Sequence, residues 1–214
     1  MKNLRILIPV KALPDGKSRL RPLLADATRA QLCEELLVAT LKVSVAIAPT
    51  SVVTSDPRVS ALAQEYGAHC LLERTQENLN ASLTWARESI AATEDVLIMP
   101  IDLPYLSCEA LSDFVSTRNG LAIVTDRHQR GTNLLFLPEE IVRQFCFSFG
   151  ADSALAHRRE GARLGVQTQL VALPEAEFDL DSPADYAQYL QRPFHWGGRF
   201  SANALGPSTR SSLV

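Results

Sequence analysis

Apolar residues along this chain fall in short runs that alternate with longer stretches of helical period. Residues 4–10 form a compact run without polar alternation, which predicts a strand covered on both faces. Over residues 28–48, Leu32, Leu36, Leu37 and Leu41 recur at helical spacing, with Asp26 or Thr28 available as N-cap. Residues 51–54 then read as a short strand, 57–66 as a helix opened by Pro57 and closed by Gly67, and 69–72 as a strand. Residues 79–92 have helical character, and 95–99 form an apolar strand that ends just before Asp102. Ser107 is expected to cap a helix through Val115. Strands follow at 121–125 and 133–137, a helix at 152–164, a strand at 167–173, and a closing helix at 184–190 opened by Ser182 and Pro183.

Strands alternating with helices imply right-handed crossovers, and so a single α/β domain with a doubly wound, mostly parallel sheet over residues 1–191. Ligands of such sheets sit beyond the carboxyl ends of the strands. Residues 192–214 lose periodicity and fill with Gly, Ser, Pro and Arg, which predicts a flexible tail or an arm that reaches a partner subunit in a homodimer.

Composition narrows the function classes. The chain has 214 residues, 46% of them hydrophobic, enough for one full core. A net charge of −3 argues against nonspecific nucleic-acid binding and against an anionic membrane surface, so any anion site must be local. The apolar run between Arg5 and Lys11 is too short for a secretory signal, and no stretch approaches the roughly 20 apolar residues of a membrane span. Cys33, Cys70, Cys108 and Cys146 lie far apart without CxxC pairing and read as reduced, buried small hydrophobes of a cytoplasmic protein.

Three constellations carry candidate chemistry. The loop after the first strand holds Lys11, Lys17, Arg19 and Arg21 where this architecture presents ligands, with Gly16 to let backbone amides approach an anion. Triphosphate would suit it, although the Walker spacing is absent; the plainer reading is a solvated basic turn. Asp102 ends the 95–99 strand, and Asp179 and Asp181 recur near the end of the chain. Magnesium takes hard oxygen ligands, and two strand-end acidic sites could converge on one ion; otherwise Asp102 serves a turn and Asp181 or Ser182 a helix cap. Arg130, Thr132, Gly150 and Ser153 could make a second anion pocket, against the reading that Gly150 serves a turn and Asp152 or Ser153 caps a helix. No serine or cysteine has a nucleophile context such as Gly-x-Ser-x-Gly, and the four isolated histidines, His157 within a helix among them, suggest no covalent catalysis.

Taken in order, Ile8-Pro9-Val10-Lys11, Lys17-Ser18-Arg19-Leu20, Asn78-Leu79-Asn80, Asp102-Leu103-Pro104, Gly131-Thr132-Asn133, Phe149-Gly150-Ala151-Asp152-Ser153 and the segment 179–185 resemble the guanylyltransferases of coenzyme F-420 biosynthesis. The resemblance runs from about residue 4 to residue 190. It implies a Rossmann-like nucleotidyltransferase fold in which GTP reacts with phosphoenolpyruvate, 2-phospholactate or 3-phosphoglycerate and releases pyrophosphate. It further implies that Lys11, Lys17 and Arg19 hold GTP phosphates and that Asn80 lies near the nucleoside. Asp102, Asp179 and Asp181 would bind magnesium, with Lys17, Arg19 and Asp102 nearest the chemistry. Arg130 belongs with the acid's anion pocket, and Thr132, Gly150 and Ser153 would hold the phosphorylated acid. Two departures stand out: Asn78 where the family usually has glycine, and a bulkier Ile101 before the aspartate, expected to reshape the acceptor pocket. The rival readings are a nucleotidyltransferase for a sugar phosphate or pterin cofactor, and a noncatalytic GTP-sensing subunit.

Overall fold

A computed structural model describes residues 3–74, 77–118 and 120–191; the tail expected at 192–214 lies outside the described residues. Seven strands form one sheet: β1 (Asn3–Pro9), β2 (Thr50–Thr54), β3 (His69–Leu72), β4 (Glu94–Ile98), β5 (Leu121–Thr125), β6 (Thr132–Leu137) and β7 (Thr168–Leu170). Their spatial order is β3-β2-β1-β4-β6-β5-β7, and every pairing is parallel except those of β6 with β4 and β5. The helices are α1 (Asp26–Ile47), α2 (Pro57–Glu65), α3 (Leu79–Ala86), α4 (Cys108–Ser116), α5 (Glu139–Val142), α6 (Ser153–Arg163), α7 (Pro174–Glu177) and α8 (Pro183–Gln191).

Burial on both faces explains the unbroken apolar runs. Ile6 and Ile8 of β1 and Leu97 of β4 face a core closed by Cys33, Leu37 and Leu41 of α1, Val59 of α2 and Phe114 of α4. Leu7, Val96 and Ile98 face the opposite core, closed by Leu83 of α3, Ile141 of α5 and Ala154 of α6. A third cluster packs Leu32 and Leu36 of α1 against Leu20, Phe178, Leu180, Tyr186 and Tyr189. Helix α1 is therefore buried on two sides, and Leu20 anchors the loop that follows β1.

The chain after β1 builds β2 and β3 on one side and then returns to place β4 on the other. Two crossovers diverging from adjacent strands open a crevice at their carboxyl ends, the switch point where open α/β sheets bind ligands. Loop 10–21 and Asp102 sit at that crevice.

Several local expectations are corrected. Neither Asp26 nor Thr28 caps α1: Ala25 occupies the cap position without a side-chain bond, and Asp26 accepts from Arg29 at 2.6 Å instead. Asp56, unforeseen, caps α2 through the Arg58 N–H, whereas Ser107 caps α4 as expected. The helix expected at 79–92 stops at Ala86 and tightens into a 3-10 turn at Arg87–Ser89. Strand β7 covers Thr168–Leu170 rather than 167–173, and a short helix not expected from the sequence, α7, begins at Pro174. Of the four free cysteines only Cys33 is buried, and Cys146 is exposed. Asn78 caps α3, its carboxamide oxygen accepting from the Ala81 N–H at 3.1 Å, a role that glycine has no side chain to fill.

Candidate active site

Loop 10–21 is held from below rather than left as a solvated basic turn. Two 3-10 turns, Leu13–Asp15 and Ser18–Leu20, flank Lys17, which takes the left-handed conformation at φ 49°. Gly16 is extended (φ −66°), so its lack of a side chain serves close approach: a Cβ there would lie 2.5 Å from Cys33 Sγ on α1. The buried Arg29 donates to the carbonyls of Pro14 and Gly16, tying the loop to the first turn of α1. Sequence reasoning missed Arg29, whose only signal was a charged residue among the apolar positions of a helix.

That support turns the Lys17 side chain inward. Its ammonium donates to Asp102 Oδ2 at 2.8 Å and to Asp181 Oδ1 at 2.7 Å, with the lysine side chain 6% exposed and the carboxylates 21% and 38%. Burial alone would lower the Lys17 pKa, but the two carboxylates outweigh it and hold the ammonium charged well above its usual range. Burial would likewise raise Asp181, yet the charge and hydrogen bond of Lys17, helped by Arg19 at 3.6 Å, keep it below the ordinary carboxylate range. Asp179 goes the other way: burial, then the charges of Asp102 and Asp181, push its pKa up.

The segment 179–181 is brought to the end of β4 by a backbone bond from Leu180 N–H to the Asp102 carbonyl at 2.9 Å. Ser182 and Asp185 cap α8 reciprocally: Asp185 accepts from the Ser182 N–H and Ser182 Oγ from the Asp185 N–H. The cap therefore falls to Ser182, which leaves the Asp181 carboxylate to Lys17 and Arg19.

Above these groups lies a cleft of about 600 Å³. Of the residues singled out from the sequence, Arg19, Asp102, Arg130, Thr132, Gly150, Ser153, Asp179 and Asp181 line it. Lys11, Lys17 and Asn80 do not; the Lys17 ammonium lies beneath the cleft floor, covered by Asp102 and Asp181. Asn80 is used structurally: its amide donates to the Phe149 carbonyl at 3.1 Å and its oxygen accepts from the Phe149 N–H at 2.7 Å, anchoring the loop before α6. Ile101 packs into the core on the α1 side and lines a separate small hollow with Thr40 and Met99, so it does not shape this cleft.

The far wall comes from the β5–β6 hairpin and the start of α6. Asp126 organises the turn, accepting from the backbone N–H groups of His128, Arg130 and Gly131 at 3.0, 2.9 and 2.9 Å. The Arg130 carbonyl accepts from Ala154 N–H at 3.0 Å, which joins the turn to the helix start. Gly150 has φ +135°, a conformation that L side chains rarely adopt. Asp152 stands at the cap position of α6 without capping it; it pairs instead with Arg130 at 2.7 Å on the exposed rim. Thr132 Oγ1 lies 3.0 Å from His157 Nδ1, another partner that sequence reasoning set aside.

One pole of the cleft thus presents Arg19 and the aspartates over the buried Lys17, and the other presents the Thr132 and Ser153 hydroxyls and Arg130. Anionic groups can be held at both; the three aspartates expected to share a metal ion are not brought together closely enough to hold one, among the described residues.

Comparison with known proteins bears on the family and the fold. The family model described as "Guanylyl transferase CofC like" matches residues 4–195. A phosphoenolpyruvate guanylyltransferase of Chloroflexus aggregans is 36% identical over 198 residues, covering 86% of this chain and 95% of that protein. The protein of the same name from Nocardia farcinica is 34% identical, covering 93% and 88%. Among solved structures, a putative nucleotide-diphospho-sugar transferase from Desulfovibrio desulfuricans superposes with a TM-score of 0.64 at 15% identity, covering 97% and 93%. A nucleotidyl transferase from Methanothermobacter gives 0.61 at 14%, covering 87% and 95%. The structural likenesses speak for the fold; the family match and the sequence identities go further, and by them this chain belongs to the CofC-like guanylyl transferases and is a nucleotidyltransferase.

Proposed function

We propose that the protein transfers GMP from GTP to a phosphorylated three-carbon acid, with phosphoenolpyruvate favoured by the names of its relatives and 2-phospholactate and 3-phosphoglycerate as the other candidates. The observation that carries this is the two-ended cleft: at the β1–β4 switch point Arg19, Asp102 and Asp181 line it over the clamped Lys17, and Arg130, Thr132, Gly150 and Ser153 line its other end. GTP phosphates belong at the Lys17 and Arg19 end, and the acid at the hairpin end. Lys11, outside the cleft lining, would serve the triphosphate only from its edge.

In the reaction an oxygen of the acid's phosphate attacks the α-phosphorus of GTP. A new phosphorus–oxygen bond forms, the α–β anhydride bond breaks, and pyrophosphate leaves. The phosphate is already ionised near neutral pH, so no general base is required. The chain's work is positioning and neutralising charge, the main demands of phosphoryl-type transfer. Lys17 and Arg19 supply fixed positive charge, and Thr132 and Ser153 supply hydroxyl donors.

Asp102, Asp179 and Asp181 have the hard-oxygen chemistry that a divalent cation such as magnesium takes, but among the described residues they do not form a grouped metal site and Lys17 occupies Asp102 and Asp181, so a cation would be held only with that lysine turned aside. A cation there would supply further charge neutralisation on the phosphates. Products of this kind are activated for transfer to the deazaflavin precursor of coenzyme F-420, and that biosynthesis, in the cytoplasm, is the setting proposed for the activity.

The test is pyrophosphate release from GTP with each of the three acids in turn, with ATP and CTP as controls and with and without excess chelator. Turnover with GTP and one acid, abolished by chelator, is expected. Turnover with a sugar phosphate and none of the acids would replace the reading with its sugar-directed rival.

A further inference from the structure

His157 sits in the middle of α6 with its side chain wholly enclosed. The rings of Phe145 and Phe149 stand 5.6 and 4.7 Å from it. Both ring nitrogens are engaged: Nε2 lies 3.1 Å from the Ser148 backbone N–H, and Nδ1 lies 3.0 Å from Thr132 Oγ1. A backbone N–H can only donate, so Nε2 must carry a lone pair. A neutral imidazole with a bare Nε2 keeps its proton on Nδ1, and that proton is then donated to Thr132 Oγ1.

The consequence falls on the hydroxyl. Thr132 has one proton and two lone pairs, and with one lone pair taken by the ring its proton is free to turn toward the cleft it lines. The opposite tautomer would consume that proton and leave only lone pairs facing an anion.

We propose that His157 is a positioning residue that fixes Thr132 as a hydrogen-bond donor into the cleft and so selects an anionic group at the acceptor end. This rests on the reading that the hairpin end of the cleft takes the phosphorylated acid. The same ring ties the Ser148 backbone, and with it the approach to Gly150, to the start of β6, so one residue sets the spacing of two parts of that wall. Burial pushes the imidazole pKa down to about 4, against a smaller upward pull from Glu160, so the ring stays neutral where the enzyme would work.

The first arm of the test needs no activity. Nitrogen-15 correlation spectra of the full chain near neutral pH should show His157 protonated at Nδ1 and bare at Nε2; the Nε2–H tautomer overturns the proposal.

The second arm is steady-state kinetics with GTP and phosphoenolpyruvate. His157→Gln, whose amide overlays the Nε2 side of the ring, should raise KM for the acid about tenfold and leave kcat and KM for GTP within about twofold. His157→Asn, whose amide overlays the Nδ1 side, should restore most of the acid affinity. In a Thr132→Val background, His157→Gln should add nothing further, because the histidine acts through that hydroxyl. Additive losses, or equal loss for both substrates, would assign His157 a purely structural role. A wild-type enzyme that shows the Nδ1–H tautomer but no turnover with any acid would instead sink the guanylyl-transfer reading and leave the tautomer standing.

Discussion

Replacing Lys17 by methionine keeps most of the aliphatic stem and deletes the charge that lies 2.8 Å from Asp102 and 2.7 Å from Asp181. Breaking a fully buried ion pair costs about 3–5 kcal/mol, because it strands a charge in a poor solvent. Here the lysine is enclosed but the aspartates keep 21% and 38% exposure, so solvent relieves part of the penalty and about 2–3 kcal/mol remains. For a domain of this size that corresponds to roughly 4–12 °C in melting temperature.

The pH dependence carries the sign. Asp181 is held below its ordinary value of 3.8, so its share of the stabilisation is present above that pH and is lost as pH falls through the lower folded value. Lys17 is held above 10.5, so its charge persists through neutral and moderately alkaline pH. Melting curves of wild type and Lys17→Met should therefore differ by a steady margin at neutral pH, and the margin should narrow below about pH 4. Pyrophosphate release by the same preparation should fall by about a hundredfold or more, as when a group stabilising transition-state charge is lost. A variant that melts within about a degree of wild type at neutral pH, or a margin that persists into acid, would refute the clamp.

Two further outcomes test the loops. Gly16→Ala drives a methyl group against Cys33 Sγ and should cost about 1–3 kcal/mol in urea denaturation, recovered in good part by adding Cys33→Ala; no recovery would place the strain elsewhere. Asn80→Ala removes both bonds to the Phe149 backbone and should raise KM for the acid several-fold while KM for GTP stays within about twofold; the reverse pattern would return Asn80 to the nucleoside.

The order of strands and helices was legible because both-face burial leaves unbroken apolar runs, as at Ile6, Leu7 and Ile8. The reversal of β6 was not, since a strand buried on every residue reads the same in either direction. Asp102 and the basic loop were visible as charges at strand ends, whereas Asp179 and Asp181, expected at another strand end, follow α7. The positions of their side chains were not, because these depend on contacts distant in sequence: Arg29 under Pro14 and Gly16, Lys17 against Asp181, His157 against Thr132. Asn80 shows the limit from the other side, since its motif marks the place while the Phe149 contacts define the use.

Strand β6 runs against its neighbours, and so the chain enters it at the same edge where β1 and β4 end. One pole of the cleft is therefore carried by the ends of β1 and β4 with the segment 179–181 bonded to Asp102, and the other by a hairpin tip and the helix start bonded to it. The two poles share no segment but are joined at Arg127, which bonds the Asp179 carbonyl and pairs with Asp185. A lineage that kept Arg127 could rewrite the tip at 128–132 and the stretch at 148–153 around the lysine clamp, and transplanting those two pieces between relatives should carry acceptor choice with them and leave nucleotide choice behind.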